Sequence, residues 1–275
     1  MIGVFDSGFG GLTVFKAFLQ NLPQYDYAYL GDNARMPYGN KSLNTIYEYT
    51  REAVDFLFSI GSTLIILACN TASAKALRRI QQEWLPTHYP DRRVLGVVIP
   101  LAEVAAHVSR YGRIGVIGTR ATIESKVYEQ EIDKLNPNLK IYGYATPLLV
   151  PLAEEDWVGK PETNIILKKY LRHLKDRKID TLILGCTHYP FLINDIKRIM
   201  GKNCRVLDGP GIVAEKLRDY LKRHPEIETR ITRNQKRVLY ATDDPERFRC
   251  FGEKFLRQRI EEVQRIRLGE GETIL

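Results

Sequence analysis

The chain has 275 residues, a length that suits one large domain or two small ones. Apolar residues make up 44% and charged residues 27%, a balance that allows a packed core and excludes a wholly disordered or fibrous chain. No apolar run reaches the roughly 20 residues of a membrane helix, and the first residues lack the basic segment and cleavage site of a signal peptide, so we expect a cytoplasmic protein with no membrane contact.

Short apolar strands alternate with longer amphipathic segments along the chain. The predicted strands are Ile2–Phe5, Tyr25–Leu30, Thr63–Ala68, Arg93–Val98, Ile114–Gly118, Lys140–Tyr144, Thr181–Gly185, Arg205–Leu207 and Val238–Ala241. The predicted helical segments are Ser42–Ile60, Thr71–Trp84, Leu101–Arg110, Thr122–Leu135 and Thr163–Lys178. Ser42 and Thr163 are expected to cap the helices that they begin. Strands that are apolar throughout indicate parallel sheets with helices on both faces, and hence an α/β protein.

The net charge of +8 is concentrated toward the C-terminus. Residues 197–275 contain 19 Lys and Arg against 13 Asp and Glu, a surplus of six. Basic and acidic residues are interspersed there, notably in 257–267, which is typical of a solvated helix face. Because no base-stacking aromatic residues or binding motif accompany this charge, we expect no nucleic-acid partner; a weak, salt-dependent contact with DNA stays an alternative.

Two strands of the first half recur in the second half. Residues 2–7 resemble residues 114–119, and the run ending at Cys69 resembles the run ending at Cys186, 117 positions later. Two matches at nearly one offset indicate duplication of a strand–helix unit. We therefore predict two similar parallel-sheet α/β domains that face each other across a cleft.

Two cysteines directly follow predicted buried strands. Ligands of open α/β sheets bind outside the carboxyl ends of strands, so facing domains bring Cys69 and Cys186 to one cleft. A thiol at a helix start lies at the positive end of the helix dipole, which favours the thiolate and lowers the pKa. His188 follows Cys186 closely enough to hold or protonate its thiol. The alternative is that each cysteine is simply a small buried apolar residue.

Four cysteines without a C-x-x-C pair predict neither a disulfide framework nor a structural zinc site. Asp6 and Asp32 also follow predicted strands. The glycine-rich segment 8–11 after Asp6 lets the backbone approach a ligand, but it lacks the P-loop lysine, and the Asp6 carboxylate favours an ammonium group over a phosphate. The donors of Asn70 and Thr71 at a helix start suit an α-carboxylate.

Two acid–base groups on opposite sides of one carbon suit a reaction that is symmetric between mirror images. One thiolate removes the Cα proton, and the other group, as a thiol, returns a proton to the opposite face. An acyl-transfer enzyme needs one nucleophile and not two that are related by duplication. Since no cofactor motif occurs, we expect neither a cofactor nor a metal.

Four motifs resemble those of the aspartate/glutamate racemase family, and of its glutamate racemases in particular. The motifs are residues 5–14, 31–39, 68–73 and 184–190, in the order and spacing of that family. The resemblance implies a cytoplasmic, cofactor-independent enzyme that interconverts L- and D-glutamate and supplies D-glutamate for peptidoglycan synthesis. It also implies a homodimer.

The resemblance also assigns residues and domains. The implied catalytic residues are the thiols Cys69 and Cys186 with Asp6, Asp32, His188 and Glu154, where Glu155 is the alternative to Glu154. The implied substrate contacts are Asp6, Ser7, Tyr38, Gly39, Asn70, Thr71, Thr187 and His188. The implied first domain comprises residues 1–97 and 208–275, because the C-terminal part returns to complete it, and the second comprises residues 98–207.

Two other functions remain open at this point. One is an aspartate or broad-specificity racemase that uses the same pair of thiols. The other is a protein that binds amino acids or nucleotides through the glycine-rich segment and makes no product. Racemisation assays with both amino acids separate these functions.

Overall fold

In a computed structural model the chain forms two β-sheets covered by helices, which confirms the predicted α/β class. The structure describes residues 1–269 and the backbone of 273–274. The strands are β1 Ile2–Asp6, β2 Tyr27–Gly31, β3 Leu64–Leu67, β4 Arg93–Gly96, β5 Arg113–Gly118, β6 Lys140–Ala145, β7 Thr181–Gly185, β8 Arg205–Val206, β9 Arg237–Ala241, β10 Val263–Arg267 and β11 Thr273–Ile274.

Helices connect most of these strands. They are α1 Leu12–Asn21, α2 Leu43–Ser59, α3 Asn70–Lys75, α4 Leu77–Arg79, α5 Leu85–His88, α6 Val98–Val108, α7 Arg120–Glu124, α8 Val127–Leu135, α9 Leu149–Glu154, α10 Pro161–Asp176, α11 Ile193–Met200, α12 Gly209–Arg223, α13 Pro225–Glu228 and α14 Pro245–Leu256. Short 3₁₀ turns cover Tyr38–Asn40 and Tyr189–Leu192, and Ile80–Trp84 is a π-helix turn. Within the described residues, no helix has the length and apolar character needed to cross a membrane.

The strand order of the smaller sheet matches that of one part of the larger sheet. The larger sheet has the order β11-β10-β9-β2-β1-β3-β4, and the smaller one has the order β6-β5-β7-β8. Neighbouring strands are parallel except β10 and β11. The stretch β2-β1-β3-β4 therefore corresponds to the whole smaller sheet, as expected from a duplicated unit. The C-terminal strands β9 and β10 extend the larger sheet; the domain boundaries at 97/98 and 207/208 stay a prediction.

The strand register aligns the carboxyl ends of neighbouring strands in each sheet. Asp6 of β1 is the partner of Gly31 in β2, and Phe5 is the partner of Leu67 in β3. In the smaller sheet, Gly118 of β5 is the partner of Gly185 in β7. The residues that follow these strands thus lie at the carboxyl edge of each sheet, where open α/β sheets bind ligands.

The central strands of each sheet are buried on both faces, which explains why these strands are apolar throughout. In β1, Val4 packs on one face of the larger sheet and Phe5 packs on the other. In β5, Val116 and Ile117 divide between the two faces of the smaller sheet in the same way. Helices cover all four faces.

One of the two predicted helix caps is confirmed. The Ser42 hydroxyl accepts a hydrogen bond from the Thr45 amide at the start of α2. The prediction for Thr163 is wrong, because α10 begins earlier, at Pro161, whose fixed φ suits the first helical position. The Thr163 hydroxyl instead donates to the Trp157 carbonyl at 2.7 Å.

The prediction of a solvated helix face over 257–267 is also wrong. Helix α14 ends at Leu256, and Arg257 adopts a left-handed conformation with φ 55°. The chain then forms β10, in which Val263 and Ile266 are buried and Val263 is the partner of Leu239 in β9. Pairing with β9 thus decides the conformation, and the local charge pattern does not.

Candidate active site

Cys69 lies where the sequence places it, between β3 and α3. Its thiol caps α3, because the Ala72 amide lies 3.5 Å from Cys69 Sγ and donates to it. The Ser7 hydroxyl, which follows β1, lies 3.2 Å from the same sulfur. Cys69 is thus buried at the carboxyl edge of the larger sheet, and its sulfur contacts Ser7, one of the residues predicted to bind the substrate.

Burial raises the pKa of Cys69 to about 12, and the nearby Asp6 charge contributes in the same direction. Hydrogen bonds from Ser7 and Ala72 oppose this shift but do not cancel it. The sequence-based expectation of a lowered pKa is therefore wrong for this thiol. At neutral pH Cys69 is protonated.

Cys186 occupies the matching position in the smaller sheet, directly after β7. Its sulfur is buried and lies 3.7 Å from His188 Nδ1. The charge of Cys186 is also among the causes that raise the pKa of Cys69. The two thiols are therefore near enough to interact electrostatically, and the carboxyl edges of the two sheets meet at this place.

His188 also contacts an acid from α9. Its Nε2 lies 2.9 Å from Glu154 Oε1, without the alignment of a hydrogen bond, so the contact is an ion pair. Burial disfavours the imidazolium, but Cys186 and Glu154 favour it more strongly, and the pKa of His188 is raised to about 10. The structure thus brings Glu154 to the histidine, whereas Glu155 is exposed.

Asp6 connects the two halves of the site. Its carboxylate accepts a hydrogen bond from the Gly8 amide at 3.0 Å and one from the Thr187 hydroxyl at 3.2 Å. Complete burial raises the pKa of Asp6, while the positive charge of His188 lowers it. A carboxylate therefore lies between the thiol-bearing segments of the two sheets.

Asp32 is buried in a hydrogen-bond network beside this centre. Its carboxylate accepts hydrogen bonds from Arg35 Nε at 2.7 Å, from Thr242 Oγ1 at 2.8 Å and from the Tyr38 hydroxyl. Tyr38 in turn lies close enough to Cys69 for the thiol charge to contribute to its raised pKa, which burial dominates. Asp32 is thus linked to the thiol through Tyr38.

Asn70 and Thr71 contact the second half of the chain. Asn70 Oδ1 accepts a hydrogen bond from the Tyr128 hydroxyl at 2.6 Å, which leaves the Asn70 amide NH₂ group as a donor. Thr71 Oγ1 lies 3.0 Å from Thr119 Oγ1 and 3.2 Å from Thr122 Oγ1. These contacts join α3 to α7 and α8 across the cleft.

Four residues of the site were missed in the sequence: Thr119, Thr122, Tyr128 and Thr242. Thr119 could have been identified from the sequence, because the internal repeat aligns it with Ser7. Tyr128 and Thr242 follow no motif and reach the site only through the tertiary fold. Among the described residues, no group of three or more His, Cys, Asp or Glu side chains is arranged to hold a metal ion.

The glycine-rich segment allows close packing at the centre of the site. A Cβ on Gly10 would lie 2.4 Å from Thr187 Oγ1 and 2.5 Å from His188 Nδ1, and one on Gly11 would lie 2.4 Å from Asp6 Cβ. A Cβ on Gly39 would similarly lie 2.7 Å from Thr119 Cβ. These glycines let the segments of the two sheets approach each other.

We expect Gly10→Ala to lower kcat/KM for the reaction of this site by roughly 10²-fold, because a displacement of about 1 Å at reacting groups has an effect of this size. The added methyl group forces Thr187 and His188 away from their positions. Gly209→Ala is the control, because its Cβ would meet no atom closer than 3.7 Å. Steady-state kinetics on both variants test this, and equal activities would contradict it.

Comparisons with known proteins agree with this architecture. The model of the Asp/Glu/Hydantoin racemase family matches residues 3–217. A glutamate racemase of Geobacter metallireducens is 40% identical over 268 residues, which cover 97% of this chain and 96% of that protein. The solved glutamate racemase isoform RacE1 of Bacillus anthracis has a TM-score of 0.88 at 33% identity and covers 96% of both chains.

A second solved structure, the glutamate racemase of Francisella tularensis in complex with D-glutamate, has a TM-score of 0.85 at 35% identity over 96% of both chains. The family match spans most of the chain, and the similarity extends over nearly all of it. The chain belongs to the Asp/Glu/Hydantoin racemase family and is an isomerase, an amino-acid racemase.

Proposed function

We propose that the protein interconverts L- and D-glutamate by proton transfer between Cα and the two thiols. The observation that carries this proposal is the pair of buried thiols, Cys69 and Cys186, at matching strand ends of two facing sheets. Each has its own hydrogen-bonding partner, Ser7 for the first and His188 for the second. The glutamate racemases named above support the choice of substrate.

In the proposed reaction, one thiolate accepts the Cα proton and the opposite thiol donates its own proton to the other face. One proton leaves the substrate and one enters, so no electron donor or acceptor is needed. The raised pKa of Cys69 keeps this thiol protonated, which suits it to donate in one direction. The cationic His188 next to Cys186 stabilises negative charge on that side.

The remaining residues bind glutamate in this proposal. The Asp6 carboxylate attracts the substrate ammonium group, and Ser7, Asn70 and Thr71 supply donors for carboxylate oxygens. Thr187, whose hydroxyl donates to Asp6, contacts the substrate beside that carboxylate. Tyr38, Gly39 and His188 complete the predicted contacts. The ion pair of His188 with Glu154 and the network around Asp32 position these groups.

The biological role is proposed from the resemblance to glutamate racemases. D-glutamate made by this chain would supply peptidoglycan synthesis in the cytoplasm, and the enzyme would act as a homodimer. Size-exclusion chromatography with light scattering measures the oligomeric state directly.

Circular dichroism of D-glutamate tests the proposed function with purified protein and no added cofactor. We expect the signal to decay to zero from either enantiomer, and in D₂O we expect the product to carry deuterium at Cα. Retention of the original hydrogen in the product would contradict the two-thiol mechanism. Equal rates with aspartate would favour the broad-specificity alternative, and a constant signal would leave only a binding function.

A further inference from the structure

A second cavity lies at the other end of the smaller sheet. It has a volume of about 710 Å³ and is lined by the loops that follow α6, α10 and α11, where β5, β7 and β8 begin. Strand β7 spans five residues between this edge and Cys186, about 17 Å at the usual rise of ~3.3 Å per residue. The cavity is therefore separate from the thiols.

Six cationic side chains line this cavity and face a single carboxylate. The cations are Arg110, Arg113, Lys175, Lys178, Lys202 and Arg205, and the acid is Asp180. In residues 1–269, the ion pairs of the structure include none of these six cations. The cavity thus carries a surplus of five positive charges.

The Asp180 carboxylate accepts hydrogen bonds from neighbouring residues. It accepts hydrogen bonds from the Ser109 hydroxyl at 2.8 Å, the Thr181 hydroxyl at 2.7 Å and the Tyr111 amide at 2.7 Å. Burial opposes its ionisation, but these donors outweigh burial and lower the pKa of Asp180. The Asp180 carboxylate therefore stabilises the loop around it. Within residues 1–269, the six cations of the cavity have no acidic partner.

The negative ends of the neighbouring helix dipoles do not neutralise the positive charge of the cavity. Three helices, α6, α10 and α11, end at this cavity. Each carboxyl end carries about −0.5 of an elementary charge, so the three together contribute about −1.5. This is less than a third of the surplus, and most of the positive charge remains available to a ligand.

Arg113, one of these six cations, provides a second observation. Its Nε is buried and has no hydrogen-bond partner. Buried polar groups without partners are rare in folded proteins, and a guanidinium donor suits a phosphate oxygen. The rim also carries Tyr111, whose side chain is 72% exposed, and the volume lies within the roughly 300–1,000 Å³ of small-molecule sites.

We propose that this cavity binds a small anion that carries two or more phosphate groups. Several cations line one concave volume of about 710 Å³, which matches a compact multivalent anion better than the extended backbone of a nucleic acid. The proposal concerns a site separate from the thiols and does not depend on the function proposed for them.

Isothermal titration calorimetry with sodium pyrophosphate tests this proposal on the full chain. The site variant is Lys202→Ala with Arg205→Ala, both exposed. The control is Lys222→Ala with Arg223→Ala at the end of α12, which removes the same charge elsewhere. We expect the site variant to bind about tenfold more weakly or worse, because it loses charge-assisted hydrogen bonds to the anion, and we expect the control to bind like the parent.

A third variant, Arg113→Gln, tests the buried guanidinium, and equal melting temperatures show that the variants are folded. We expect binding in the presence of saturating D-glutamate to be unchanged. No binding to the parent, equal loss in site and control variants, or displacement by D-glutamate would each overturn the proposal. Tighter binding of a DNA oligonucleotide, lost in the site variant, would also overturn it in favour of a nucleic-acid surface.

Discussion

Replacing either Cys69 or Cys186 by serine is expected to reduce kcat for glutamate racemisation by about 10²- to 10⁴-fold, the usual contribution of a positioned acid or base. Both groups act in every turnover, one as the proton acceptor and the other as the donor. A serine hydroxyl in the same buried place holds its proton far more tightly than a thiol. Circular dichroism of both enantiomers measures the loss.

The two remaining cysteines are the controls for these variants. Cys204 is buried and Cys250 is exposed, and neither contacts the paired thiols in the described part of the chain. We expect both serine variants to keep the parental rate. A single thiol variant retains one base, so in D₂O we expect it to exchange the Cα hydrogen of one enantiomer without inverting it. Racemisation by Cys186→Ser at the parental rate would refute the mechanism.

Asp6→Asn is expected to lower kcat/KM by about 10- to 10²-fold, the value of a hydrogen bond to a charged group. The Gly8 amide and the Thr187 hydroxyl donate to different oxygens of Asp6, so the variant keeps one of these two hydrogen bonds and loses the charge that attracts an ammonium group. The loss of activity therefore reports on the charge together with one hydrogen bond, while the size of the side chain is preserved.

The same variant is also expected to change the pH dependence. The Asp6 charge raises the pKa of Cys69, so its removal lowers that pKa. Where Cys69 is the base, the rise of the rate with pH moves to lower pH; where it is the acid, the alkaline loss of rate also moves to lower pH. Asp26→Asn is the control, since Asp26 binds Asn234 and Lys236 away from the thiols. An unchanged profile in Asp6→Asn would contradict this electrostatic coupling.

The placement of the thiols was predictable because it depends on local sequence. Each cysteine ends an apolar run that is buried on both faces of its sheet, and the carboxyl ends of parallel strands are where ligands bind. Duplication then accounts for the correspondence between the strand orders of the two sheets. Asp6 and His188 were predicted for the same reason, since each lies within a few residues of a strand end, whereas the role of Ser7 was implied only by the family resemblance.

The parts that sequence reasoning missed depend on contacts between remote segments. Thr242 reaches Asp32 from 210 positions away, and Tyr128 reaches Asn70 from 58 positions away. The raised pKa of Cys69 likewise follows from complete burial and a carboxylate from another strand, which no local motif encodes. Strand β10 was predicted as a helix face because its charges conceal the pairing with β9.

The position of β9 has a consequence for the order in which the chain matures during translation. β9 lies between β2 and β10, so the larger sheet is completed only by strands C-terminal to residue 236, whereas the strands of the smaller sheet lie within 113–206. The ribosome therefore releases the smaller sheet in full while β2 still presents an unpaired edge. A nascent chain that stalls before Arg237 exposes that edge to neighbouring polypeptides, and Asp32 then lacks the hydroxyl that Thr242 supplies.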